Sequence, residues 1–176
     1  MRRLAGFALL LALTGCDSAL PVQHFAGQGP ELDPLRFFAR HVRSWGVLED
    51  RGGAPTGTVA TDCAGQIEPD GSLAMHQHLT YGDGTTERRD WRMRRTGPGT
   101  YEATATGMVG TGNGEAAGRV FHLAWTLAAR PGNPLANVAM DQWMYLQDDG
   151  AVVNRTVVRK LGVVVAEVTE QFAPAP

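Results

Sequence analysis

The sequence predicts an all-β domain: an antiparallel meander closed into a barrel of about 8–10 strands, preceded by one short helix near the N-terminus. Three observations carry this. Nine segments, near 45–50, 56–67, 72–81, 85–95, 100–108, 117–128, 136–147, 150–161 and 163–173, alternate in polarity or are rich in β-branched and aromatic residues. Turn-forming clusters separate them: RGGAP, EPDGS, YGDG, TGPG, GTGNGE, RPGNP and QDDG. No second helical periodicity follows Gly46, and so many consecutive strands present edges that closure removes, an open sandwich being the alternative.

The chain starts with a leader. Arg2 and Arg3 form a basic cluster and Leu4 to Leu13 an apolar run, too short to span a bilayer. Leu13-Thr14-Gly15-Cys16 follows, a small-residue cleavage site that resembles a bacterial lipobox. Residues 1–15 are therefore expected to leave as a lipoprotein signal peptide, with Cys16 lipidated as the mature N-terminus. This places the protein in the bacterial cell envelope, facing the periplasm and held to the membrane through its acyl anchor. Asp17 resembles an inner-membrane retention signal, the outer membrane being the alternative. Loss of Arg2 and Arg3 takes the net charge from −2 to −4, which argues against nucleic acid. Cys63 then stands as the only remaining thiol, read as a buried one, and no intrachain disulfide can form.

Residues 16–33 are polar, aperiodic and contain Pro and Gly, as a tether would, and residues 34–176 form the single barrel domain. Asp33 and Pro34 suit the start of a helix. Leu35, Phe38, Val42 and Trp45 share one helical stripe, predicting about three turns that plug the end of the domain or lie on lipid.

Two hairpins place the interior. In LAMHQHLTY the odd positions, Leu73, Met75, Gln77, Leu79 and Tyr81, form the apolar face, so His76 and His78 point outward. A three-residue loop, Gly82-Asp83-Gly84, pairs Met75 with Trp91, Leu73 with Met93 and Gln77 with Arg89. Outside, His76 then faces Asp90 and His78 faces the cation Arg88, a poor setting for a metal. Arg88, Arg92 and Arg94 read as a solvated face, docking to anionic headgroups being the sharper option. In DQWMYLQDDGAVVNRTVV a loop at Asp148-Asp149-Gly150 sets Trp143 opposite Arg155, with Tyr145 and Asp141 on the same face. An arginine on an apolar face must be paired or hydrated. Arg89 and Arg155 are thus either members of a structural network or the grip on an anionic head group, assisted by Gln77, Asp141 and Tyr145. Trp91, Trp125 and Trp143 would then line the wall.

These segments carry a resemblance. YGDG followed by Arg89-x-Trp91, GMVGTGNGEAAG, DQWMY and NRTVVRKLGVVVAEVTEQF resembles the bacterial lipoprotein family catalogued as domain of unknown function 3833, from about residue 31 to the C-terminus. The NR…K-GV…V pattern is its most specific part. The resemblance implies a lipocalin-like barrel and brings no established activity and no catalytic residues. It also implies an acidic residue near position 77, where Gln77 stands, so that Arg89 would lack a charged partner.

Other motifs fall away. GTGNGEAAG, 110–118, reads as a turn, because its glycines alternate and no helix follows to receive a phosphate. Ser18, Ser44 and Ser72 have no nucleophile context, and His122 would face away from Phe121 and Leu123. No metal ligand set, cofactor motif or catalytic group emerges, and no protein partner can be specified. The expected function is that of an envelope lipoprotein holding a hydrophobic or anionic amphiphile, such as a lipid or fatty acid, in a barrel cavity. A ligand-free structural or interaction module is the alternative. A lipid-modifying enzyme is the weaker third reading, since it needs a titratable group inside the barrel, for which Asp141 is the candidate.

Overall fold

The computed structural model describes residues 20–175; the leader, Cys16 and Asp17 lie outside the described residues. A short helix α1 (Pro34–Phe38) precedes ten antiparallel strands. They are β1 (His41–Asp50), β2 (Pro55–Ile67), β3 (Leu73–Tyr81), β4 (Thr86–Gly97), β5 (Thr100–Ala105), β6 (Gly112–Ala117), β7 (Val120–Leu127), β8 (Val138–Leu146), β9 (Val152–Lys160) and β10 (Val163–Pro174). Each strand pairs with its sequence neighbours, and β1 also pairs with β10, so the sheet closes into a barrel. The fold is the expected all-β meander.

Both hairpin registers hold. Met75 faces Trp91, Leu73 faces Met93 and Gln77 faces Arg89, around a loop in which Gly84 takes φ +84°. Trp143 faces Arg155 across the loop that ends at Gly150.

Two expectations about secondary structure are corrected. The helix is not three turns long: it covers five residues, Pro34–Phe38, and the chain enters β1 at His41. Asp33 caps it, its carboxylate accepting from Leu35 N at 3.0 Å. Val42 is fully buried inside the barrel, whereas Trp45 points outward and is 62% exposed. Pairing on both sides outweighs the helical spacing, because without β1 two long strand edges would stay open. The second correction is GTGNGEAAG, whose core is strand β6 and not a turn. Gly112 and Gly114 face inward, where a Cβ would collide with Trp125 and Phe121. The large side chains of β7 fill the space that these glycines leave.

Part of the expected tether is also packed. The turn Val22–Phe25 lies on β6 and β7 with Val22 buried, and Leu32, also buried, donates its N–H to Gly118 O at 2.8 Å.

The two ends of the barrel differ. At one, α1 seals the interior: Leu35, Phe37 and Phe38 are buried, and Phe38 meets Phe172 edge-on at 5.7 Å. Above this plug, Leu73, Met93, Tyr101, Phe121, Met144 and Val152 pack as a continuous core. At the other end lie the connections β1–β2, β3–β4, β5–β6, β7–β8 and β9–β10. The last is a two-residue turn, Leu161-Gly162, with φ of +50° and +81° between the paired Lys160 and Val163. Asn-Gly is the sequence that such a turn favours; leucine there occupies a left-handed conformation that branched side chains avoid. Leu161→Asn should therefore stabilise the fold by about 1 kcal/mol, raising Tm by roughly 2–4 °C in thermal unfolding.

Candidate functional site

Alternation along the closed sheet decides which side chains meet inside. Near the open end they enclose a cavity of about 180 Å³. Its collar, close to the loops, is aliphatic: Leu48, Val59, Leu79, Leu127, Val138, Val158 and Val168. Tyr81 joins this collar; deeper along the strands the lining turns polar, with Gln77, Arg89, Gln142, Thr156 and Glu170, and Trp91, Trp125, Met140 and Phe172 complete it. A void of only about 40 Å³ remains between this level and the plug.

Arg89 is buried and does have a charged partner: Glu87, two residues earlier on the same face of β4. Arg89 donates from Nε to Glu87 Oε1 at 2.7 Å and from Nη2 to Oε2 at 3.0 Å. Tyr81 OH donates to the same carboxylate at 3.0 Å. Burial works against an ionised Glu87, yet the hydrogen bonds and charge of Arg89, with the Tyr81 hydroxyl, outweigh it and hold the carboxyl below its ordinary range. Burial and the neighbouring Glu87 push the Tyr81 phenol up to about 12. The guanidinium carbon of Arg89 also lies 5.7 Å from the centre of the Trp125 ring. Gln77 does not serve the arginine; it accepts from Trp91 Nε1 at 2.7 Å.

Glu170 is the second polar centre. Ser44 Oγ and Thr61 Oγ1 donate to its Oε1 at 2.9 and 3.3 Å, and Asn154 Nδ2 donates to its Oε2 at 3.2 Å. Gly46 stands directly opposite on β1, and a Cβ there would overlap Glu170 Cγ, so the glycine makes room for the carboxyl. Burial raises its pKa, and three hydrogen bonds and the charge of Arg89 do not cancel that effect. Asn154 Oδ1, buried in the same cluster, has no hydrogen-bond partner among the described residues. Cys63 is buried close by and its thiol is pushed up to about 12, by burial first and then by Glu170 and Asp62, which leaves it an inert core residue.

The expectation for the second hairpin needs correcting. Its register is right but its faces are reversed. Gln142 and Met140 line the cavity and Met144 the core, so Asp141, Trp143 and Tyr145 alternate to the outside of β8. There Asp141 bonds His122 at 2.6 Å, and Trp143 lies over the His122 ring at 4.3 Å and stacks with Tyr145 at 6.4 Å. Arg155 is exposed and pairs with Glu167 across β10 at 2.5 Å. Of the predicted lining, Gln77, Arg89, Trp91 and Trp125 meet in the cavity, while Asp141, Trp143, Tyr145 and Arg155 do not. Sequence reasoning missed Glu87 and Glu170. The i, i+2 spacing of Glu87 and Arg89 was the readable signal for the first; the second needed the β1–β10 closure.

On the outer face of β3 and β4, His76 pairs with Asp90 at 2.6 Å, and Arg92 and Arg94 pair with Asp70 and Glu102. Among the described residues, no three His, Cys, Asp or Glu side chains converge as a metal site would require, and no helix is long and apolar enough to cross a membrane.

Glu170 gives the cavity a pH signature. The folded chain holds this proton more tightly than the unfolded chain, whose carboxyl titrates near 4.5. The associated stability is complete below that value and is lost as pH rises through the higher folded value. Thermal melts of Glu170→Gln and the parent chain should therefore be close at pH ~4 and diverge in favour of the variant toward pH ~8. A difference independent of pH would contradict the assignment.

A family model described as Protein of unknown function (DUF3833) matches residues 10–173. No curated protein matches the chain.

Proposed function

The chain belongs to the DUF3833 family, and from that premise we propose that it is an envelope lipoprotein whose barrel holds a small amphiphile bearing a carboxyl head. The observation that carries this reading is the vertical order of the cavity: an aliphatic collar at the mouth above Arg89, Gln77, Gln142 and Glu170. That order suits a molecule entering head first with its chain in the collar.

The head group follows from what the polar residues have left to offer. Arg89 uses Nε and Nη2 on Glu87, and its Nη1 has no hydrogen-bond partner among the described residues. Arg89 thereby offers a carboxylate one charged donor, and burial pushes the pKa of the Glu170 carboxyl in the same cavity upward, toward its neutral form, which eases the approach of a second carboxylate. A free double fork for a phosphate is missing, since Glu87 occupies it.

Volume limits the chain. About 180 Å³ is below the 300–1,000 Å³ typical of sites for drug-sized ligands. A short-chain acid fits entirely, and a longer one extends past Leu48 and Tyr81 into the groove of about 640 Å³ between the β1–β2 and β3–β4 tips. This refines the lipid expected from the sequence to a fatty acid or a molecule of similar head and width. Membrane attachment rests on the Leu13–Cys16 motif.

Two measurements test this. Titration with octanoic and palmitic acids should give saturable binding that Val158→Trp, which fills the collar, removes. Arg89→Met should weaken it roughly tenfold or more while sparing the corresponding alcohols. Equal binding by the parent chain and both variants would sink the cavity reading. In cells, Cys16→Ala should abolish radiolabelled palmitate incorporation and release the protein from membranes; a palmitate signal that persists would exclude the anchor.

A further inference from the structure

The five connections at the mouth divide into two kinds. The β1–β2 and β3–β4 tips carry Asp50 and Asp83 and are polar. The other three are adjacent around the rim, because β5 to β10 follow one another in the barrel. Residues 106–111, 128–137 and 161–162 contain no carboxylate. They and the adjoining Val163 present four exposed aliphatic side chains: Leu161 at 92%, Leu135 at 81%, Val163 at 58% and Val109 at 45%. Arg130 and Lys160 stand exposed among them.

Folding does not account for this arrangement. Leu161 is unfavourable twice over, in its left-handed backbone at φ +50° and in its exposure. Leu135 sits in a loop shaped by Asn133, whose side chain accepts from Leu135 N at 3.1 Å, so the leucine is held out by an ordered turn. Apolar tips with cations and no anions match the boundary of an anionic bilayer, where aliphatic groups enter the acyl region and Lys and Arg remain at the headgroups.

We propose that this half of the rim is a docking surface for an anionic lipid bilayer, which turns the cavity mouth toward the membrane. The proposal does not depend on what the cavity holds.

The test uses residues 20–176, which contain the complete closed barrel with its plug and omit Cys16. The probe is sedimentation with vesicles of equal parts phosphatidylglycerol and phosphatidylcholine, against phosphatidylcholine alone. The parent chain should bind the mixed vesicles and bind the neutral ones weakly. Leu135→Ser with Leu161→Asn should reduce binding at least about tenfold, while thermal melts show the barrel intact. Arg130→Gln and Lys160→Gln should each reduce it roughly fivefold on the mixed vesicles. No binding by the parent chain, or equal binding by the leucine variant, overturns the proposal. Concentration-dependent dimers dispersed by the leucine variant, without vesicle binding, would overturn it in favour of a contact between copies.

Discussion

The pairing of β1 with β10 is the constraint from which the rest of the molecule follows. It joins the first strand to the last, satisfies both edges and fixes which residues of every strand face inward. It also creates the polar heart of the barrel. Glu170 arrives on β10, Gly46 and Ser44 on β1, Thr61 on β2 and Asn154 on β9, so four strands that meet through the closure supply one cluster. The Arg89–Glu87 pair sits on β4 and reaches the same cavity from the opposite wall. The buried Arg89 guanidinium is tolerable there because the partly exposed Glu87 carboxylate matches it, since an unmatched charge in such a place costs several kcal/mol.

Local chemistry was legible wherever one face of a strand differed clearly from the other. In LAMHQHLTY and its partner the apolar residues occupy one parity, and a three-residue loop follows from requiring Trp91 and Met75 to share a face. In DQWMYL both parities are partly apolar: Trp143 and Tyr145 on one, Met140 and Met144 on the other. The pattern alone therefore does not say which parity is inside, and the expectation takes the face of Trp143, Tyr145 and Asp141 as the interior. The interior is instead filled by methionines, and Trp143 is satisfied outside by the His122 ring. The same register therefore leaves Arg155 in solvent beside Glu167, where an ion pair contributes little.

The remaining failures share a cause in non-local geometry. Leu35, Phe38, Val42 and Trp45 keep helical spacing, but pairing to β2 and β10 decides their fate from Val42 onward. The glycines of β6 look like a turn until the volume of Phe121 and Trp125 is set against them. Glu170 lies in VTEQF, an ordinary alternating stretch, and becomes exceptional only opposite Gly46. Glu87 is the instructive omission, since its spacing from Arg89 needed no tertiary knowledge.

The four tryptophans are divided between two worlds. Trp45 and Trp143 belong to the outer surface, whereas Trp91 and Trp125 meet edge-to-face at 5.3 Å in the cavity, the latter beneath the Arg89 guanidinium. Two indoles this close couple their electronic transitions, and the cation lies over one of them. The barrel thereby contains its own spectroscopic probe: near-ultraviolet dichroism from this couple reports what fills the interior, and collisional quenchers in the solvent act first on the outer pair.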